Sequence, residues 1–212
     1  PHSIYSSTFV IVIHMANSKN ITGIILSGGQ SKRMGKDKGM VLLDGRPLVA
    51  YSISAFTGLF SDILIGANNK DYQRFGLSVI ADEIQGIGPA GGILSCLKAS
   101  QTHGNLVLSC DMPLITKPVI TTVLKQRSEF DAVVPVHDGH PEPLCAYYSK
   151  NAIPVFEEMI KKGMYKLRLI LEKLNCFYTD IHKSGIDPSA FENVNTPEDV
   201  KRIEARLKSR NK

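Results

Sequence analysis

Ile21 to Leu26 is an almost wholly apolar run that stops abruptly at Ser27-Gly28-Gly29, and the loop beyond it carries Lys32, Arg33, Lys36 and Lys38. A run this short, bounded by glycine, reads as the first buried strand of a parallel sheet. Open parallel sheets take ligands at the carboxyl ends of their strands, where this loop falls. The glycines and Ser31 leave backbone N–H groups bare, and fixed cations stand beside them, which is the chemistry a polyphosphate needs. Two familiar phosphate loops do not fit. Gly29 and Gly35 enclose five residues and Lys36 is followed by Asp37, so the spacing and the magnesium-binding hydroxyl of a P-loop are missing. The glycines are adjacent, so the dinucleotide pattern G-x-G-x-x-G is absent too. A plain glycine turn before a solvated basic loop is the bland alternative, and the loop's place at a strand end speaks against it.

The rest of the chain alternates apolar strands with helical patterns, which argues for an α/β fold. Ile63–Ile65, Val79–Ile80, Leu106–Ser109, Ala132–Val136 and Leu144–Tyr148 are predicted strands. Helices are predicted from Pro47, placed at the first helical position, to about Leu59. Others cover Gly92–Ala99, Val119–Gln126, Ala152–Lys162, Tyr165–Leu174 and Pro197–Leu207. No repeat or interdomain linker stands out, and 212 residues are enough for one full core.

Several features continue in an order that resembles one family. Leu26-Ser27-Gly28-Gly29-Gln30-Ser31-Lys32-Arg33-Met34-Gly35-Lys36-Asp37-Lys38 is followed by Pro47-Leu48, Val79-Ile80-Ala81-Asp82 and Gly88-Pro89-Ala90-Gly91-Gly92-Ile93. Ser109-Cys110-Asp111-Met112-Pro113, Pro143-Leu144 and Asn193-Val194-Asn195-Thr196-Pro197-Glu198-Asp199 complete the set. The chain is similar in these segments, over about residues 21 to 205, to the molybdenum cofactor guanylyltransferases (MobA proteins). The resemblance implies a Rossmann-like three-layer fold of the nucleotide-diphospho-sugar-transferase type, mainly parallel, with helices on both faces. It implies transfer of GMP from GTP to the phosphate of molybdenum–molybdopterin, with release of pyrophosphate and formation of the guanine dinucleotide cofactor. GTP, molybdenum–molybdopterin and Mg²⁺ are the expected partners, together with molybdenum-insertion and molybdoenzyme-maturation proteins. A cytidylyltransferase acting on the same pterin or on a sugar-like phosphate is the nearest alternative. A non-catalytic GTP or pterin carrier is a second, and it would have no need of a magnesium-binding carboxylate.

Asp111 is the first candidate for catalysis. It lies just past the strand Leu106–Ser109, and a hard oxygen ligand there suits Mg²⁺ bridging triphosphate oxygens. Capping of the turn before Pro113 is the structural alternative. Lys38 can follow charge onto a departing pyrophosphate. Arg33 can clamp a phosphate, or, as the resemblance implies, reach toward the pterin. The resemblance assigns nucleotide contacts to Leu26, Ser27, Gly28, Gly29, Lys38, Asp82 and Asp111. Relatives carry asparagine where this chain has Gly66, and Asn68 is the expected substitute. Gly28-Gly29, where cytidylyl-transferring relatives commonly have Ala-Gly, leaves room for a purine.

Thr196, Pro197 and Asp199 read as a helix start with a reciprocal cap. Asn193 and Asn195 are left over. An extended Asn-x-Asn places both amides on one face, and the resemblance implies pterin contacts there and at Lys166, with Arg168 the poorer match. His137-Asp138-Gly139-His140 has the residue types of a metal site, but a solvated loop beside the second substrate is the better reading.

Apolar residues at 43% and charged residues at 21% are ordinary for a globular protein. The net charge of +5 suits small anions, and without a basic stripe it does not call for nucleic acid. The basic residues after Pro197 alternate with acids, as on a solvated helix. Cys96, Cys110, Cys145 and Cys176 are widely spaced among apolar neighbours, as for buried thiols in a reducing cytoplasm. No stretch approaches the ~20 apolar residues of a membrane span. Met15, followed by polar residues, reads as a natural start. Residues 1–14 are therefore expected to be extraneous or disordered, and residues 15–212 to form a single nucleotidyltransferase domain.

Overall fold

The computed structural model describes residues 20–28 and 37–210, apart from the side chain of Arg210. The expectations for residues 1–14 and for Gly29, Ser31, Lys32, Arg33 and Lys36 lie outside the described residues. The strands are β1 (Ile21–Leu26), β2 (Leu42–Leu43), β3 (Arg46–Pro47), β4 (Asp62–Gly66), β5 (Ser78–Ile80), β6 (Gly104–Ser109), β7 (Ala132–His137), β8 (His140–Pro141), β9 (Cys145–Ser149) and β10 (Cys176–Asp180). The helices are α1 (Leu48–Phe56), α2 (Pro89–Ala99), α3 (Lys117–Val123), α4 (Ile153–Lys161), α5 (Leu167–Leu171) and α6 (Pro197–Arg210).

One sheet of order β10-β7-β9-β6-β1-β4-β5 runs through the molecule, with β8 on β7. The pairs β1–β4, β1–β6, β4–β5 and β7–β10 are parallel, and β9 is antiparallel to both of its neighbours. The fold is thus a mainly parallel three-layer α/β sheet with one long reversed strand. Alternation along β1 shows why two layers of helix are needed. Ile21 and Ile25 join the core under α1 and α3, with Phe56, Val119 and Ile120. Ile24 and Leu26 join the opposite core under α2, α4 and α5, with Ile93, Phe156 and Ile170. Gly23 faces α1 so closely that a Cβ would lie 2.5 Å from the Phe56 ring.

A third cluster joins Val41, Leu43 and Leu48 to Leu114, Val194 and Ile203, and so seats α6 beside the β2–β3 hairpin. Some boundaries differ from the sequence reading. Pro47 ends β3 and caps α1 from outside the helix with extended backbone (ψ 144°). α2 begins earlier, at Pro89, and α5 is only a short segment. β10 occupies a stretch for which no element was predicted. Among the described residues no helix is long and apolar enough to cross a membrane.

Candidate functional site

Sheet register levels four strand ends. Leu26 is opposite both Gly66 and Ser109, and Gly66 is opposite Ile80. Two residues beyond each end stand Gly28, Asn68, Asp111 and Asp82. Backbone bonds lock the exits: Ser27 N donates to Gly66 O (2.9 Å), Cys110 N to Leu26 O (3.0 Å) and Ala67 N to Ile80 O (2.9 Å). β9 starts at the same edge, where Ser109 N donates to Leu144 O (2.8 Å).

The Lys38 Nζ donates to Asp111 Oδ2 at 2.5 Å and to Asn195 Oδ1 at 2.5 Å. Lys38 and Asp111 keep only 20% and 13% of their side-chain surface exposed, so this pair is screened less than a surface ion pair. Asp111 Oδ1 is buried with no hydrogen-bond partner among the described residues. The Asp111 backbone carbonyl accepts from Val194 N (2.8 Å) and so draws Asn193 and Asn195 to the site. The helix start behind them is a reciprocal cap. Asp199 Oδ2 accepts from Asn195 N and Thr196 N (2.9 Å each), and Asp199 N donates to Thr196 Oγ1 (3.2 Å). These bonds, with Arg202 beside the carboxylate, hold the Asp199 pKa below its ordinary value.

Asn68 and Asp82 pair reciprocally. Asn68 Nδ2 donates to Asp82 Oδ2 (3.1 Å), and Asp82 N donates to Asn68 Oδ1 (2.9 Å). Behind them the first turn of α2 comes close, and a Cβ on Gly92 would stand 3.2 Å from Asp82 Oδ1. At Gly66 a Cβ would meet Cys96 Sγ at 2.8 Å and Leu26 Cδ2 at 3.0 Å. A side chain at the end of β4 would therefore crowd Cys96 and Leu26, and two residues on, the amide at this edge is that of Asn68. At Gly28 a Cβ would meet nothing within 4 Å among the described residues.

Lys166 is exposed at the start of α5. β9 runs down to the amino edge, where Ser149 pairs with Gly104. The following α4 leads back from that edge toward Lys166. His137 stacks on Phe191 with ring centroids 4.7 Å apart, and its pKa is lowered by burial. Asp138 and Gly139 take positive φ (48° and 77°) as the turn between β7 and β8. Among the described residues no group of three or more His, Cys, Asp or Glu could hold a metal.

Glu142, which the sequence reading passed over, stands at the start of the reversed strand. It is largely buried, and burial first, with Asp111 nearby, raises its carboxyl pKa. Its Oε1 accepts from Leu144 N (3.2 Å) and its Oε2 lies 4.0 Å from His137 Nε2. The signal was its place between Pro141 and Pro143, beside a motif already singled out. The four cysteines are free thiols, three buried and Cys176 partly so. Burial pushes the Cys96 and Cys110 thiols up to about 12, far from the range of a reactive thiolate. Two basic residues of α6 find acids, with Arg202 Nη1 2.7 Å from Asp199 Oδ1 and Arg206 Nη1 3.0 Å from Glu192 Oε1.

Comparison with known proteins agrees with this architecture. A molybdenum cofactor guanylyltransferase of Vibrio vulnificus is 35% identical over 182 residues, spanning 84% of this chain and 91% of that protein. The crystal structure of molybdopterin-guanine dinucleotide biosynthesis protein A from Archaeoglobus fulgidus superposes with a TM-score of 0.77 at 28% identity, covering 89% of this chain and 99% of that one. The 2-C-methyl-D-erythritol 4-phosphate cytidylyltransferase of Thermus thermophilus shares the fold at a TM-score of 0.68 and 15% identity, covering 87% of this chain and 98% of its own. The fold is therefore that of the nucleotide-diphospho-sugar-transferase type. The family model for the MobA-like NTP transferase domain matches residues 23–177, and the chain belongs to that family.

Proposed function

We propose that the protein transfers GMP from GTP to the terminal phosphate of molybdenum–molybdopterin, releasing pyrophosphate and forming the guanine dinucleotide cofactor. The observation that carries the reading is the shared ammonium of Lys38, which touches Asp111 on the nucleotide side and Asn195 on the acceptor side. The names borne by the relatives at about a third identity point the same way.

In this reading the acceptor phosphate oxygen forms a bond to the α-phosphorus of GTP, and the bond to the bridging oxygen breaks with its electron pair leaving on pyrophosphate. No protein nucleophile is needed, and the enzyme's work is alignment and neutralisation. Asp82 and Asn68 face the nucleoside, while Gly28 adds no side chain on its side of the site. Lys38 moves from Asp111 to the phosphates and meets the charge that builds on the leaving group. Asn193 and Asn195 offer amides to the pterin edge, and Lys166 and Arg33 supply charge for its phosphate.

Asp111 is the residue that would hold Mg²⁺. A carboxylate with one buried oxygen that has no partner among the described residues fits an ion that takes one or two carboxylates and draws its other ligands from phosphate and water. Held there, Mg²⁺ would supply positive charge against the triphosphate oxygens. The free thiols fit a cytoplasmic protein.

The test is magnesium-dependent pyrophosphate release with molybdopterin as acceptor and GTP, CTP, ATP and UTP compared. Release with GTP alone is expected, falling at least ~100-fold in Asp111→Ala while the melting transition persists. Release with CTP would overturn the assignment of the base. GTP binding with no release under any condition would leave a carrier.

A further inference from the structure

Lys38 sits in a single three-residue 3₁₀ turn, Lys38–Met40, closed by Met40 N to Asp37 O (3.0 Å) and Val41 N to Lys38 O (3.2 Å). One such turn does not hold its own shape, because nucleating helix costs more than two bonds return. Something outside must fix it, and the residue before the lysine is where the outside contacts gather. The Asp37 carboxylate accepts from Gly39 N (3.2 Å) and from the Tyr72 hydroxyl on Oδ1, and from Asn69 Nδ2 (3.1 Å) on Oδ2.

Each donor is itself held. Tyr72 is fully buried in the main core, and burial together with its bond to Asp37 raises the phenol pKa. Asn69 has its amide oriented by Asp71 N, which donates to Oδ1 at 2.9 Å. Gly39 is wedged against Ser27 and Tyr72, and a Cβ there would fall 2.0 Å from Ser27 Oγ and 2.3 Å from the Tyr72 hydroxyl. Asn69 also follows Asn68, the partner of Asp82. One short segment after β4 therefore braces both the nucleoside side and the phosphate side of the site.

We propose that Asp37 is a positioning residue for Lys38: gripped by Tyr72, Asn69 and the Gly39 amide, it fixes the turn that delivers the ammonium to Asp111. The inference rests on the reading of Lys38 as a phosphate-contacting residue. Asp37→Asn keeps the shape but turns an NH₂ group toward the Asn69 NH₂ group, so one bond becomes a clash of two donors. The turn then loses its grip while the ring of Tyr72 stays packed. A displaced lysine costs the step in which charge develops on the leaving group. The expected result is a kcat lower by ~10- to 100-fold with the KM for GTP within about threefold.

Two further variants separate positioning from general damage. Asn69→Asp added to Asp37→Asn restores donor to acceptor and is expected to recover at least a third of the lost kcat. In a Lys38→Ala background, Asp37→Asn is expected to lower kcat by less than twofold, because its effect passes through the lysine. A full additional loss in that background, or no recovery in the swap, overturns the proposal. A crystal structure of Asp37→Asn without substrate provides a readout independent of activity. Lys38 Nζ displaced from Asp111 supports positioning even where the wild type releases no pyrophosphate, in which case the guanylyl-transfer reading alone falls. Lys38 unmoved overturns positioning whatever the kinetics show.

Discussion

Glu142 shows how much a single side chain can report about this site. Its carboxyl pKa is raised, chiefly by burial and secondarily by Asp111. A carboxylate raised in the folded state binds a proton more readily there than in the unfolded chain, so it favours the fold at low pH. That contribution is lost as pH climbs from the ordinary carboxylate value through the raised one, and the buried charge then burdens the fold. Glu142→Gln should therefore raise the melting temperature at pH 7 and leave it unchanged near pH 4, as read by calorimetry across pH; a gain equal at both would assign it to packing. Asp111 and Lys38 were legible from the sequence because each closes a recognisable motif at a strand end. Tyr72 and Asn69 were not, since they reach Asp37 across 35 and 32 residues, and no local pattern announces a partner at that distance.

At the scale of elements, the start of α6 does two jobs with one set of bonds. The Thr196–Asp199 box satisfies the first turn, and such a cap is worth ~1 kcal/mol. By fixing the backbone of Asn195 it also presents the amide that meets Lys38. Asn195→Ala leaves the box intact, because Asp199 bonds the backbone N–H rather than the side chain. Steady-state kinetics should then show the acceptor KM rising about tenfold, with the KM for GTP within about twofold; the opposite pattern would hand the segment to the nucleotide. The cap was readable as helix-start grammar. The two hairpins were not read, although both turns are Asp-Gly, at Asp44-Gly45 and Asp138-Gly139, each with positive φ. That pair favours the tight two-residue turn. The strands flanking it are only two residues long at β2, β3 and β8, too short for any alternation to show.

Across the whole molecule, stability should be graded outward from the middle of the sheet. β1 and β6 are buried along their full length and have a strand on either side, whereas β10 lies at an edge with every residue partly or fully exposed. Native-state hydrogen exchange should find Ile24, Ile25, Val107 and Leu108 opening only with global unfolding, and Phe177 and Tyr178 at a lower free energy. Equal values would mean that the edge is as cooperative as the centre. The same gradient explains what the sequence revealed of the fold. Strands buried on both faces are written as short apolar runs between glycines and turns, and these were read. β10 mixes Cys176 and Phe177 with exposed Tyr178 and carries no such signature. The reversal of β9 was also hidden, because strand direction depends on where the chain returns and not on which residues are apolar.

The hold of Asp111 and Asn195 on Lys38 has a last consequence. The ammonium is already satisfied within the protein, by a carboxylate on one side and an amide oxygen on the other. A stray inorganic anion must outbid two tethered ligands that never diffuse away, and a single charge is a poor bid. A polyphosphate bids with several linked charges at once. The Lys38–Asp111–Asn195 cluster is thus the first competitor of any anion drawn to this ammonium.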